Sequence, residues 1–295
     1  MINNNFSKPE QYKVFRIPKK SGGFRQIEAP NEELKATQRK LLSNLKGLHY
    51  ISPFCHSFRS SKNVVSNAIG HVGAKYVLHI DAKNFFPSIT WRKFWAIGGL
   101  KYNDIVKKDD LQKAFCMFDN ELEPRLPQGA PTSPWLSNVY LARFDTLIAR
   151  YLTYLSVSVV DGNPTSISEY NYSRYADDIT ISGPDPKRLW ALFFMMEKRL
   201  DKKYGITLNR KKTRMMGPGQ RKIVCGIVVN EKHHPRRRWR KNLRAEIHNQ
   251  VVNGQPLKAS TLGKIAYLNM CRNTDGKSSS QEIFSTRMSK VLEQL

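Results

Sequence analysis

Apolar residues along this chain recur at two spacings, and the spacings alternate. Leu34, Leu41, Leu42, Leu45 and Leu48 fall at helical intervals, and Val139, Tyr140, Phe144, Leu147, Ile148, Tyr151 and Leu152 form a stripe along residues 137–155. Both predict amphipathic helices that bury one face. YVLHID, residues 76–81, reads as a buried strand ending in a carboxylate, and residues 12–30, YKVFRIPKKSGGFRQIEAP, read as two short strands around Ser21-Gly22-Gly23, a basic hairpin. A second hairpin is expected around Ala176-Asp177-Asp178, then a helix over 187–204 and one strand over 221–229, RKIVCGIVV. After Glu231 the composition shifts, and HHPRRRWRKNLRAEIHNQ opens a basic, helical C-terminal part with its boundary near residue 232.

Charge narrows the function. Lys and Arg number 49 against 24 Asp and Glu in 295 residues, a formal charge of +25. Two basic residues for every acidic one fit a polyanionic partner better than a merely solubilised surface. No apolar run approaches the ~20 residues of a membrane span, and residues 1–9 are polar where an export signal would be apolar. Cys55, Cys116, Cys225 and Cys271 are far apart and form no CxxC, which argues against a zinc knuckle or disulfide framework. The expected location is the reducing cytoplasm, with no membrane partner.

The acidic residues are few, which makes their placement informative. Asp177 and Asp178 sit side by side between Tyr175-Ala176 and Ile179-Thr180-Ile181. Taken alone they fit an ordinary Asx turn between two strands. Asp81 taken alone is an ordinary strand-end carboxylate. Together the three suggest a metal site, because carboxylates on adjacent strand ends repel unless cations neutralise them, and oxygen ligands select Mg²⁺. Two such ions about 4 Å apart activate a hydroxyl and stabilise a leaving pyrophosphate.

HIDAKNFFPSI, LPQGAPTSPWLSN, RYADD, GITLNRKKT and KIVCGIVVN follow one another in this order, and the series resembles the palm motifs of reverse transcriptases over nearly the whole chain. The resemblance implies an α+β, right-hand polymerase fold: fingers over 1–75 with part of 90–127, a palm over 76–231 carrying an antiparallel sheet, the YADD hairpin and a primer-grip strand, and a helical, RNA-binding thumb over 232–295. Within that superfamily the sequence looks like a bacterial retron reverse transcriptase. Asn67-Ala68-Ile69-Gly70-His71 is similar to the retron NAxxH element, and Val224-Cys225-Gly226 is similar to the VTG element, with Cys where Thr is usual. QGAPTSP resembles the retron box more than that of diversity-generating enzymes, and the length leaves no room for the maturase and endonuclease regions of a group II intron protein.

What the resemblance implies for the site can be set beside what the residues offer chemically. Asp81, Asp177 and Asp178 would hold two Mg²⁺ ions, with Mn²⁺ as a substitute, and the Ala82 carbonyl would complete one shell. Lys19, Lys20 and Arg25 would close over the triphosphate; Arg25 suits this best because its fork grips phosphate while its plane stacks on a base. The two lysines are not distinguished. In an extended segment Phe85 and Phe86 face opposite ways, and the resemblance puts Phe86 beneath the deoxyribose, where its ring excludes a 2′-hydroxyl. Gln128 and Gly129 would lie near the sugar and template, and Tyr175 beside the primer end. Lys212 is a proton donor to pyrophosphate or a surface charge. Arg236, Arg237, Arg238, Arg240, Lys241 and Arg244 would grip a nucleic-acid backbone.

The implied activity is RNA-directed DNA polymerisation from dNTPs, copying a cognate structured noncoding RNA into branched multicopy single-stranded DNA. An accessory effector or toxin and a part in anti-phage defence follow from the same resemblance. Two alternatives stand beside it: a non-retron defence or intron-type reverse transcriptase, and a polymerase-fold scaffold that only binds RNA.

Overall fold

The computed structural model describes residues 5–19, 22–46, 51–97, 107–118, 123–155, 157–160, 163–166 and 170–272. Lys20 and residues 273–295 of the expected thumb lie outside them. The chain opens with β1 (Tyr12–Pro18) and β2 (Phe24–Pro30), an antiparallel hairpin that turns through Gly22 and Gly23 at positive φ. Next come α1 (Glu32–Leu45), α2 (Val64–Ile69), β3 (Tyr76–Asp81), α3 (Trp91–Ala96), α4 (Lys108–Gln112) and α5 (Ser133–Leu155). Asn31 caps α1 by accepting from the Leu34 N–H at 2.9 Å, and Asn63 caps α2 from the N–H groups of Val65 and Ser66. A short pair, β4 (Val157–Val160) and β5 (Asn163–Ser166), leads to β6 (Asn171–Tyr175) and β7 (Asp178–Gly183). After these come α6 (Pro186–Arg199), β8 (Arg214–Met216), β9 (Ile223–Val224), β10 (Ile227–Val228), β11 (His234–Pro235), α7 (Arg237–Val252) and α8 (Ala259–Arg272).

Four strands in the order β6-β7-β3-β8, all antiparallel, form the central sheet. Strand alternation sorts its residues by chemistry. On one face Leu78 and Ile80 of β3 meet Ile181 and Ile179 of β7, and these pack against Tyr140, Phe144 and Ile148 of α5 and Leu189, Phe193 and Met196 of α6. On the other face Asp81, His79 and Val77 lie opposite Asp178, Thr180 and Ser182. A second core, with Val65 and Ala68 of α2, Val77, Met216, Val224 and Ile227, covers the far end of that face.

Several sequence expectations change. Residues 221–229 are not one strand: Cys225 and Gly226, both at positive φ, turn the chain between β9 and β10. The 187–204 helix begins at Pro186 and closes with a π-helical turn, Leu200–Tyr204, against Gly205. Leu147 and Tyr151 stand at the edge of the α5 stripe and are exposed, while Val139, Tyr140, Phe144, Ile148 and Leu152 are buried. Leu48 lies outside the described residues.

One ion pair joins the sheet to α5. Arg174 of β6 points to the core face, and its Nε and Nη2 donate to the two carboxylate oxygens of Asp145 at 2.8 Å each; both side chains are 0% exposed. Tyr172, on the same face, donates its hydroxyl to Asp145 at 2.6 Å. Removing one partner of such a pair leaves an uncompensated buried charge, so Asp145→Ala is expected to lower the unfolding free energy by about 3–5 kcal/mol. Urea denaturation checks this; a loss below about 1 kcal/mol would show that the pair is solvated and structurally idle.

Candidate active site

The carboxylate turn is built from β6 and β7. Tyr175 pairs with Asp178 across the two-residue turn Ala176-Asp177, so Asp178 is the first residue of β7 and only Asp177 lies in the turn itself. Ala176 sits at φ +56, unusual for a residue with a Cβ, and its conformation is fixed from several sides. Its N–H donates to Ser57 Oγ at 2.8 Å, and its carbonyl accepts from Arg174 Nη1 at 3.2 Å. Asn138 of α5 donates to the Ser57 carbonyl at 2.8 Å. The pair that anchors β6 therefore also supports the turn.

β3 completes the site. Asp81 is the direct cross-strand partner of Asp178, and the N–H of Ala82 donates to the Asp177 carbonyl at 3.1 Å. A turn at residues 209–213 reaches Asp81 from the other side. Lys212 Nζ donates to Asp81 Oδ1 at 3.1 Å, Asn209 Nδ2 donates to Oδ2 at 3.3 Å, and the Asn209 N–H donates to the Asp81 carbonyl at 2.7 Å. Burial and then the neighbouring Asp177 and Asp81 push Asp178 up to about 7. Burial and Asp81 also raise Asp177, an effect that the charges of Arg25 and Lys212 oppose. His79 lies 3.7 Å from Asp178 and, being buried, is held below the ordinary histidine range. The Cys225 thiol is pushed up to about 12 by burial and by Asp178 and Asp177, so the β9–β10 turn lies beside the acids.

The structure gathers most of the predicted residues around these carboxylates. Phe85 is core and Phe86 half-buried, its ring 5.4 Å from that of Phe85. Arg25 and Lys19 are exposed on the β1–β2 hairpin, and Arg25 acts electrostatically on Asp177. The hairpin root is fixed to the loop of Gln128 and Gly129. Glu28 accepts from both terminal guanidinium nitrogens of Arg125 and from the Gln128 N–H, all at 2.8 Å, and its own N–H donates to the Gln128 carbonyl at 2.9 Å. Gly129 has φ +144, and a Cβ there would lie 2.7 Å from the Glu28 carbonyl. Tyr175 is half-buried. The arginines at 236, 237 and 238, with Lys241 and Arg244, are exposed at and along the start of α7, away from the carboxylates in sequence and element.

The two retron-like elements meet in the interior. His71 is buried, its ring nitrogens 2.7 Å from Ser182 Oγ and 2.8 Å from Ser173 Oγ, which joins β7 to β6. Asn67 is also buried and donates to Cys225 Sγ at 3.4 Å. NAxxH and Val224-Cys225-Gly226 thus brace each other inside the molecule. Sequence reasoning did not single out Arg174, Asp145, Glu28, Arg125 or Asn209. Arg174, Asn209 and Glu28 lay within stretches already quoted, RYADD, GITLNRKKT and the 12–30 hairpin, while Arg125 and Asp145 did not.

Among the described residues no three His, Cys, Asp or Glu side chains converge into a formed metal cluster. The donor set nonetheless fits hard cations: three carboxylates stand at one sheet end, where burial and then the neighbouring acids raise the proton affinity of Asp177 and Asp178. Lys212 is the cation that meets Asp81 here. No helix among the described residues is long and apolar enough to cross a membrane.

An antiparallel sheet with acids at one end, helices behind it, a basic hairpin in front and a helical C-terminal part is the right-hand polymerase fold. The reverse transcriptase (RNA-dependent DNA polymerase) family matches residues 17–232. The chain belongs to that family and, within it, to the retron reverse transcriptases. Retron Mx65 reverse transcriptase of Myxococcus xanthus is 32% identical over 274 residues, 88% of this chain and 61% of that protein. Retron Ec86 reverse transcriptase of Escherichia coli is 33% identical over 246 residues, 81% of this chain and 69% of that protein. This chain therefore spans about three-fifths of the length of the first relative. In fold it is similar to apo telomerase from Candida tropicalis, with a TM-score of 0.50 at 12% identity over 80% of this chain and 56% of that one.

The raised proton affinity of Asp178 has a consequence for stability. The folded chain holds that proton more tightly than the unfolded chain, so the group favours folding below about pH 4, and the advantage is lost as pH rises through about 7. The side chain is 35% exposed, so screening reduces the effect to roughly 1–2 kcal/mol. In EDTA at pH 8, Asp178→Asn is expected to unfold about 2–4 °C higher than the parent, with a smaller gain at pH 5. Thermal scans at both pH values check this, and an unchanged or lower midpoint at pH 8 would contradict it.

Proposed function

We propose that this chain is an RNA-directed DNA polymerase that uses Mg²⁺ to copy a cognate structured noncoding RNA into branched single-stranded DNA. The observation that carries the reading is the register pair Asp81 and Asp178, with Asp177 beside it. A binding scaffold gains nothing from three mutually repelling acids at the open end of its sheet. The family match and the retron relatives support the same chemistry.

In this reading fingers, palm and thumb divide near residues 76 and 232. Asp81, Asp177 and Asp178, with the Ala82 carbonyl, hold two Mg²⁺ ions, for which Mn²⁺ substitutes. Metal held there would supply a lowered pKa at the primer hydroxyl and charge stabilisation at the pyrophosphate. Asn209 orients Asp81. Arg25, with Lys19 and Lys20 on the hairpin, grips the triphosphate of the incoming dNTP. Phe86 excludes a ribose 2′-hydroxyl, Gln128 and Gly129 line the sugar and template side, and Tyr175 rests against the primer end. Lys212 Nζ, already a donor within the site, supplies the proton for pyrophosphate release. The row of exposed arginines at the start of α7 holds the RNA or hybrid backbone. An accessory effector and a part in anti-phage defence extend the same retron reading.

On a primed RNA template with dNTPs and Mg²⁺, the Asp177→Asn, Asp178→Asn double variant is expected to lose at least ~10³ in rate, since several kcal/mol of transition-state stabilisation go with the charge. Undiminished extension by that variant sinks the polymerase assignment.

The retron assignment has its own measurement, the sequencing of nucleic acid that copurifies with the chain. One dominant structured RNA bearing 2′-linked DNA is expected, and a heterogeneous RNA population would end that part of the reading. Replacing Arg236, Arg237 and Arg238 with Ala is expected to lower the slope of log K against log salt by roughly 0.7–0.9 per lost phosphate contact.

A further inference from the structure

Phe58 stands out on two counts. Its φ is +54, a left-handed conformation that a bulky side chain rarely adopts, and the residue is 48% exposed. Either feature alone disfavours the folded state, and a smaller or more flexible residue would avoid both. The surrounding chain nevertheless enforces them. His56 donates its N–H to the Arg174 carbonyl at 2.9 Å, and Arg174 donates its own to the Phe54 carbonyl at 2.9 Å, so residues 54–56 run along the end of β6. Ser57 is buried and accepts from the Ala176 N–H of the carboxylate turn. Arg59 Nη1 folds back onto the carbonyls of Ser52 at 2.7 Å and Cys55 at 3.2 Å. Phe58 is thereby held between two anchored neighbours with its ring turned outward.

The ring is not isolated. Its centroid lies 6.4 Å from that of Phe86, with the planes tilted by 43°, and Phe86 rests in turn on buried Phe85. The three rings form a row that runs from the core to the surface, one residue away from the contact that supports the carboxylate turn. A flat apolar face in that position matches a sugar and base surface, which has an aromatic or apolar face and few hydrogen-bonding demands out of its plane.

Resting on the polymerase reading above, we propose that Phe58 is a further floor residue of the nucleotide site. It backs Phe86 and offers its exposed face to the base pair formed between the template and the incoming dNTP. The strained backbone is kept because it aims the ring. The neighbours that fix it, Ser57 and Arg59, are positioning residues for that floor.

Glycine separates this role from a structural one, because it adopts positive φ without strain and should leave the fold intact. In single-nucleotide extension on a primed RNA template, Phe58→Gly is expected to raise KM for dNTP about tenfold while kcat changes less than about twofold. Its thermal midpoint should stay within about 2 °C of the parent. Phe58→Tyr, which keeps the ring, should restore the parental KM. An unchanged KM in Phe58→Gly, with the parent extending normally, overturns the proposal, whether or not the midpoint falls. A raised KM that Phe58→Tyr fails to restore overturns it too. No extension by the parent overturns the polymerase reading first and this proposal with it.

Discussion

Asp145 and Arg174 meet in the core with no solvent exposure, and the geometry of the carboxylate end depends on that meeting. A buried pair of this kind adds little net stability compared with apolar residues of the same size. What it imposes is register. A slip of β6 by one residue would turn Arg174 to the open face and bring Tyr175 into the core, which leaves Asp145 a charge without a partner. The hydrogen bond from Arg174 to the Ala176 carbonyl carries the same constraint into the turn, and Ser57 closes it from the other side. Asp177 and Asp178 are therefore located by a residue that faces away from them.

The electrostatics of the molecule run in opposite senses at two scales. Globally the chain carries +25, a field that draws in polyanions and accelerates encounter. Locally the sheet end concentrates acids, and burial followed by their mutual repulsion raises the proton affinities of Asp177 and Asp178. Lys212, Arg25 and Arg214 lie near enough to oppose that repulsion without abolishing it. On the proposed reading, cations and phosphates would enter such a site together, since each supplies the charge the other lacks.

Much of this was legible in the sequence because it is local. The strand 76–81 with its terminal Asp81 and the hairpin that carries Asp177 and Asp178 follow from alternation and turn chemistry over a few residues; the expected extended run through Phe85 and Phe86 does not, because residues 83–88 form successive turns. The errors arose where local pattern and tertiary demand part company. RKIVCGIVV reads as one strand because six of its nine residues are apolar, yet the left-handed pair Cys225-Gly226 folds it back on itself. Asn67 and His71 were legible only as a resemblance to NAxxH; that two serines and a thiol satisfy them internally is visible only in the fold. Arg174 and Asp145 lie 29 positions apart, and Glu28 and Arg125 lie 97 apart. No periodicity links such partners, so only the folded chain reveals that they are paired.

The clasp of Glu28 on Arg125 and Gln128, with Gly129 pressed against the Glu28 carbonyl, sets where the basic hairpin is held. The root is bonded at several points, whereas a Cβ at Gly22 or Gly23 would meet nothing within 4 Å. The two strands thus form a lever anchored at its root, and a load on Arg25 is passed along the seven paired positions from Tyr12 to Pro18 to the loop of Gln128.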